Sequence, residues 1–258
     1  MRTFFQEFKQ YGNLFVELVR KGIKLKYRRS YLGIIWSMAE PLLTMIVLTV
    51  VFGTLLGHDG RDFPVYILAG RLIYTLFSQS TTNALKSIRT NHGMIKKVYV
   101  PKYLYPLSGI AYNYVLFLIS LVVLFAVSIS LKVYPTIYIL LAVVPLLVLF
   151  VLSVGVGLIL ATAGVFFRDL EYLWNVALML VMYTCAIFYY PDAILTSSVG
   201  WILKYNPLFC IISNFRSCVF GERMDMGMLA YASMFALVSV IVGGLVFAKK
   251  QNDFILYI

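Results

Sequence analysis

The chain has 258 residues, 61% of them hydrophobic and only 13% charged, with a mean hydropathy of +0.87. A soluble domain carries about 25% charged residues, so a water-facing surface is excluded for most of this chain and lipid is its expected solvent. The net charge of +11 does not point to nucleic acid, because the basic residues lie between apolar runs, where lipid head groups and membrane orientation account for them.

No cleavable leader is expected, because the first thirty residues are amphipathic and basic. Phe4, Phe8, Tyr11, Phe15 and Leu18 fall at alternating steps of four and three, which puts them on one helical face. The expectation is a helix in residues 1–30 lying in the inner membrane interface; a surface helix packed on a partner is the alternative. Six apolar runs follow, each long enough to approach the roughly 20 residues that a bilayer core takes: Tyr31–Gly57, Phe63–Leu85, Leu104–Leu131, Val133–Phe167, Tyr172–Tyr190 and Met226–Ala248. They are too long and too little alternating for barrel strands. The expected fold class is therefore all-α: a polytopic membrane protein with six transmembrane helices over residues 31–258.

The fourth run exceeds one straight span. Pro135 and Pro145 suggest an interfacial or kinked approach and then a single helix. Within it Ser153, Gly157 and Ala161 repeat at four-residue steps, a small-residue seam for close helix packing, within the chain or between copies. Pro191–Asp225 is too apolar for an ordinary loop and is broken at Asn206-Pro207. Short re-entrant outer helices before the last span fit this pattern, with an outer loop folded on the surface as the alternative. With the N-terminus inside, sixteen of the 22 lysines and arginines fall on inner segments. A multi-pass protein of the cell membrane with both termini cytoplasmic is expected.

Chemistry is sparse. No phosphate-binding G-x-x-x-x-G-K-[ST] loop, G-x-S-x-G, H-E-x-x-H or C-x-x-C occurs, and the only histidines are His58 and His92. Cys210 and Cys218 would stand roughly 12 Å apart on one helix, too far for a disulfide, and with Cys185 they read as structural. No metal site is expected, and no acidic pair suits a membrane glycolipid enzyme. Glu40 and Arg71 are the intramembrane charges, each near a predicted span end. A membrane path without an engine remains, with a basic stretch at Lys24–Ser30 and the loop Lys86–Tyr105 as its largest inner features.

Five blocks carry a family resemblance. They are Tyr27-Arg28-Arg29-Ser30-Tyr31-Leu32-Gly33-Ile34-Ile35-Trp36-Ser37 with Pro41; Asn91-His92-Gly93-Met94-Ile95-Lys96-Lys97 through Lys102; Phe166-Phe167-Arg168-Asp169-Leu170; Asn206-Pro207-Leu208 through Arg216 and Gly221; and Gly244-Leu245-Val246-Phe247. In this order they resemble the polysaccharide-exporting ABC permeases, the membrane subunits of O-antigen, capsule and teichoic-acid exporters (the Wzm, KpsM and TagG group). The chain departs from that pattern at Thr184–Pro191, where the family often has Ser-Pro-x-x-Tyr, and at Glu40, where a neutral residue is commoner.

The resemblance implies a permease subunit without enzymatic activity, which moves a lipid-linked polysaccharide across the membrane. Its implied partners are a second copy of itself, two copies of an ABC ATPase that bind ATP and Mg, the glycan substrate and membrane lipid, with no cofactor in this chain and no nucleic acid. Arg89, Asn91, His92, Met94, Ile95, Lys96 and Lys97 would form the ATPase-coupling loop. Lys26, Tyr27, Arg28, Arg29, Trp36 and Glu40 would lie at the inner interface where substrate approaches. Tyr74, Phe77, Tyr112, Tyr114 and Phe117 are candidates for lining the conduit, since aromatic faces suit sugar rings. Tyr189, Tyr190, Trp201, Asn206, Pro207 and Arg216 would belong to an outer gate segment. A drug or small-lipid exporter of the related type-2 branch is the nearest alternative.

Overall fold

The computed structural model describes residues 4–28, 30–57, 60–97, 100–134 and 136–257. Arg2, Arg29, His58, Val98, Tyr99 and Pro135 lie outside the described residues, as do the side chains of Phe4 and Phe8. All regular structure among the described residues is helical.

Helix α1 (Phe4–Tyr27) is amphipathic and ends on Lys24 and Lys26. Its Tyr11, Leu14, Phe15 and Leu18 pack on a cluster that includes Ile88, Tyr105 and Phe254. A 3-10 turn at Gly33–Ile35 leads into α2 (Trp36–Leu56), which Gly57 ends in the left-handed region at φ 67°, where a side chain would be strained. Helix α3 (Phe63–Thr90) is the longest. It is followed by the single turn α4 (His92–Ile95) and by α5 (Leu104–Ser130). A second 3-10 segment, Ile137–Ala142, precedes α6 (Val143–Phe166). The kinked approach expected for the fourth run is this change of helix type. Pro145 in the first turn of α6 loses no intrahelical bond there.

Helix α7 (Leu170–Thr184) is followed by two single turns, α8 (Asp192–Leu195) and α9 (Trp201–Lys204). Asn206 caps α10 (Pro207–Phe220) by accepting from the amides of Leu208 at 3.0 Å and Phe209 at 3.3 Å. Asp225 caps α11 (Met226–Lys250) in the same way, and α12 (Phe254–Tyr257) closes the described chain.

Among the described residues, four segments are long and apolar enough to cross a membrane: Gly33–Leu55, Leu104–Ser130, Ile137–Phe166 and Met226–Lys250. The other two expected spans differ from these. Helix α3 has the length but is interrupted by polar residues. Helix α7 has 15 residues, roughly 22 Å at 1.5 Å per residue, against a hydrocarbon core of about 30 Å. The outward faces of α2 and α11 are apolar and open, with Leu43, Val47, Val50, Leu237, Ile241 and Leu245 exposed. Such a surface suits lipid, not water.

Small residues set the packing. Gly155 of α6 lies against Ser239 of α11, and Gly243 of α11 against the Gly155 carbonyl, so a Cβ at either would collide with backbone. On the other side of α6, Gly157 meets Ala84 and Ile110, and Gly164 meets Leu85. The small-residue seam thus serves contacts within the chain. Helix α3 occupies the centre, touching α2, α5, α6, α7 and α10.

Candidate functional site

Burial divides α3 into two parts. From Val65 to Gly70 every residue is buried. From Arg71 to Thr90 the positions left partly open are Arg71, Thr75, Ser78, Gln79, Thr82, Asn83, Lys86, Arg89 and Thr90, and every one is polar. They recur at steps of three and four, so they form one face. It is roughly 28 Å long at 1.5 Å per residue, against a back made largely of Leu72, Ile73, Leu76, Phe77, Ala84, Leu85 and Ile88. In lipid, a face of hydroxyls, amides and cations has to be covered by protein or line a wet path.

Three hollows lie along this face. The first, about 60 Å³, lies between the end of α1 and helices α2, α3 and α5; Arg71, Thr75 and Gln79 face Ser37, Glu40 and Asn113 across it. The second, about 850 Å³, lies between α1, α3 and α5, and the third, about 510 Å³, lies at the Thr90 end. Lys26 and Gln79 border both the first and the second, and Lys86 and Thr90 both the second and the third. The Lys26 ammonium donates to Gln79 Oε1 at 2.9 Å. Burial holds Lys26 below its usual range, with the charge of Glu40 opposing.

At the Phe63 end the face is closed by a knot around Arg216. This side chain is 5% exposed. It donates from Nε to the Tyr66 carbonyl at 3.1 Å, from Nη1 to the Ala186 carbonyl at 3.0 Å, and from Nη2 to the Ile187 carbonyl at 3.4 Å. Its guanidinium carbon stands 3.4 Å from the Tyr66 ring centroid, a desolvated cation–π contact. The Tyr66 hydroxyl is shared between the Ala186 and Tyr189 carbonyls at 3.1 and 3.0 Å. Asn206 donates to Thr184 Oγ1 at 3.0 Å. The chain from Cys185 to Tyr190 is non-helical, with Ala186 at φ 47°. Cys185, Ala186 and Ile187 are nonetheless fully buried. Backbone of this kind is tolerated away from water only when its carbonyls find donors, and Arg216 and Tyr66 supply them. Gly70 is needed because a Cβ there would strike the guanidinium.

At the Thr90 end, Lys86 and Arg89 converge on Glu171, Arg89 at 3.1 Å. Glu171 precedes the apolar run of α7. The hydrogen bond from Lys86, aided by the charges of Lys86 and Arg89, holds its carboxyl below the usual range against a smaller desolvation effect. Asn91 ends α3 and donates to the Ser87 carbonyl at 2.8 Å. In α4 and just beyond, Ile95 is buried, while His92, Met94, Lys96 and Lys97 are exposed.

The remaining candidates separate by position. Tyr74 is buried with its hydroxyl on the Leu178 carbonyl at 2.9 Å, and Phe77 lies against Trp174. Tyr114 stacks edge-on against Phe150. Tyr112 and Phe117 border the hollows, as do Lys26, Tyr27 and Glu40. Arg28 and Trp36 are exposed, as is Trp201. Tyr190 lies 4.7 Å from the Tyr66 ring, Tyr189 donates to the Tyr183 carbonyl, and Pro207 opens α10. The three cysteines are buried free thiols, and no group of potential metal ligands occurs among the described residues. Reasoning from sequence did not single out Thr75, Gln79, Thr82 or Asn83, although their helical spacing inside the second run was a visible signal; Tyr66 had none.

A central helix polar on one open face, inside a bundle whose outer faces are apolar, defines a membrane transport subunit. The chain belongs to the ABC-2 type transporter family, whose model matches residues 13–220. It is similar to the O-antigen export system permease protein RfbA of Klebsiella pneumoniae, 28% identical over 94% of this chain and 93% of that one. The protein of the same name from Myxococcus xanthus is 25% identical, over 96% of each chain. The polysialic acid transport protein KpsM of Escherichia coli is 24% identical over 91% of this chain and 92% of its own.

Proposed function

We propose that this protein is the membrane-spanning permease of an ATP-driven exporter that carries a lipid-linked polysaccharide of the O-antigen, capsule or teichoic-acid type out of the cytoplasm. The observation that carries this reading is the polar face of α3. A glycan needs a continuous wall of hydroxyl and amide partners without a strong charge trap, and the stretch from Thr75 to Asn83 offers that chemistry.

In this reading the chain crosses the membrane six times, with both termini inside. Helix α3 is the second span, with its polar face shielded from lipid. Helix α7 with the Cys185–Tyr190 segment is the fifth, and α10 is a re-entrant helix reaching in from outside. Two copies face each other across the conduit, and α1 lies in the inner interface. The Asn91–Lys97 turn docks on a separate ATPase, which binds ATP and Mg, so this chain is a transporter subunit and not an enzyme. The family match and the names of the similar proteins support the reading, as does the exposure of Met94, Lys96 and Lys97 beside the Lys86–Glu171–Arg89 tie.

The test replaces Thr75, Gln79 and Thr82 together by Leu and follows radiolabelled glycan at the cell surface. The expected result is a permease that accumulates normally and still associates with its ATPase, with export reduced at least tenfold. Export at the wild-type rate from that variant would contradict the assignment of this face.

A further inference from the structure

Arg71 and Arg216 both lie within the bundle, and only Arg216 is satisfied. Arg216 gives its donors to three carbonyls. Arg71, roughly 12 Å along α3 from Phe63 at 1.5 Å per residue, gives one donor to the sulfur of Met182 at 3.4 Å and stands 5.7 Å from the Tyr74 ring. A thioether is a weak acceptor, so most of the donors of this guanidinium are unused among the described residues. The side chain is also partly open, and it faces the first hollow.

A line of free donors continues from it. Thr75 and Gln79 follow Arg71 at four-residue steps, on one side of the helix. Gln79 Oε1 accepts from Lys26, but the Gln79 amide N–H groups and the Thr75 hydroxyl donate to nothing among the described residues. Lys26, Arg71 and Glu40 all border the hollow, an excess of one positive charge, and no ion pair joins Glu40 to Arg71 among the described residues. An unmatched cation within a membrane span is costly and marks a substrate path. At about 60 Å³, where one water takes roughly 10–15 Å³, the hollow has room for a carboxylate but not for a sugar ring.

We propose that the exported polysaccharide is acidic, with a carboxylate on its repeating unit, and that Arg71 is the residue that selects it. The pendant carboxylate enters the first hollow and takes the guanidinium fork, with the Thr75 hydroxyl and the Gln79 amide as further donors, while the sugar rings pass along the open face. This inference deepens the transport reading above and rests on it. A planar guanidinium meets a carboxylate in two parallel hydrogen bonds, which an ammonium cannot copy. Size favours a pendant carboxylate over a phosphodiester, whose two sugar neighbours would have to enter with it. Glu40 across the hollow opposes the bound charge and weakens the hold, as the passage of a polymer requires.

The experiment follows export in cells that make this permease, with radiolabelled glycan collected from the surface and its repeat analysed for carboxylated sugars. The expected glycan carries a carboxylate in every repeat. In Arg71→Gln, export should fall about tenfold or more, the scale of the charge-assisted hydrogen bonds lost. Arg71→Lys, which keeps the charge without the fork, should fall between that variant and the wild type. Melting in detergent separates selection from a structural role by its sign. Because Arg71 has so few partners, Arg71→Gln should melt no lower than the wild type and accumulate equally. Lower melting, with export lost only in proportion to accumulation, would make Arg71 structural and overturn the proposal. A glycan without carboxylates, or wild-type export from Arg71→Gln, would also overturn it. The transport reading fails on a different result, undiminished surface glycan in cells without the permease, so the two failures are distinct.

Discussion

The two parts of α3 solve the same problem, polar groups inside a membrane bundle, by opposite means. Between Val65 and Gly70 the helix is wholly covered, and the polar groups beside it are paired: Arg216 and Tyr66 meet the carbonyls of a non-helical segment. Between Arg71 and Thr90 one face stays open, and its polar side chains border hollows. The change comes within one residue, at Gly70–Arg71. Pairing makes the closed part rigid and costly to disturb. The open part gains little stability from its polar side chains and is free to serve another purpose.

That contrast predicts a graded series. Arg216→Met should have the largest effect, since it withdraws a donor from each of three buried carbonyls. A loss on the order of 3–5 kcal/mol should appear as failure to accumulate in the membrane, with Arg216→Lys retaining part of the signal. Gly70→Ala should cost about 1–3 kcal/mol, because its methyl group displaces the guanidinium; thermal melting in detergent measures it. Tyr66→Phe removes one hydroxyl whose Ala186 acceptor keeps its bond from Arg216, so a loss of about 1 kcal/mol is expected. On the open face, Thr82→Leu should change melting by no more than about 0.5 kcal/mol. A large loss there would erase the distinction between the two parts.

A further effect, confined to acid, concerns the Thr90 end. Glu171 has a depressed pKa in the folded protein, so its tie to Lys86 and Arg89 contributes stability above the ordinary carboxylate pKa and loses it as pH falls through the depressed value. Arg168 and His92 border the same cleft. The pair is partly exposed, so its worth is at most about 1 kcal/mol. Melting of Glu171→Gln should lack the part of the acid dependence that the wild type shows below the usual carboxylate range. Identical acid profiles would remove Glu171 as the fastening of α7 to α3.

Much of the architecture could be read from the chain because apolar periodicity and capping are local. The irregular approach to α6, the break at Asn206-Pro207 before α10 and the small-residue seam on α6 all follow from short sequence patterns. The closed end could not be read in this way. Arg216 meets Tyr66 across 150 residues and Ala186 across 30, and nothing in the sequence announces that a basic residue in an apolar segment will be satisfied by carbonyls. The length of α7 was misjudged for a related reason: Cys185–Tyr190 is as apolar as a helix, but its backbone bonds are made by side chains elsewhere. For the site, composition drew attention to the aromatics, and Tyr74, Phe77 and Tyr114 are held by packing. Thr75, Gln79 and Thr82 were masked by the strong hydropathy of their neighbours.

The most direct test of the central claim is accessibility along α3. With Cys185, Cys210 and Cys218 replaced by Ala, single cysteines are placed at Thr75, Ser78, Gln79, Thr82 and Asn83, and at the buried Leu72, Leu76, Phe77 and Leu85. Each variant is then treated in membranes with a hydrophilic thiol reagent. The account predicts labelling at the five polar positions, silence at the four buried ones, and protection of the labelled set when glycan substrate is present. Labelling that ignores this helical period, or a polar set that stays silent, would contradict it.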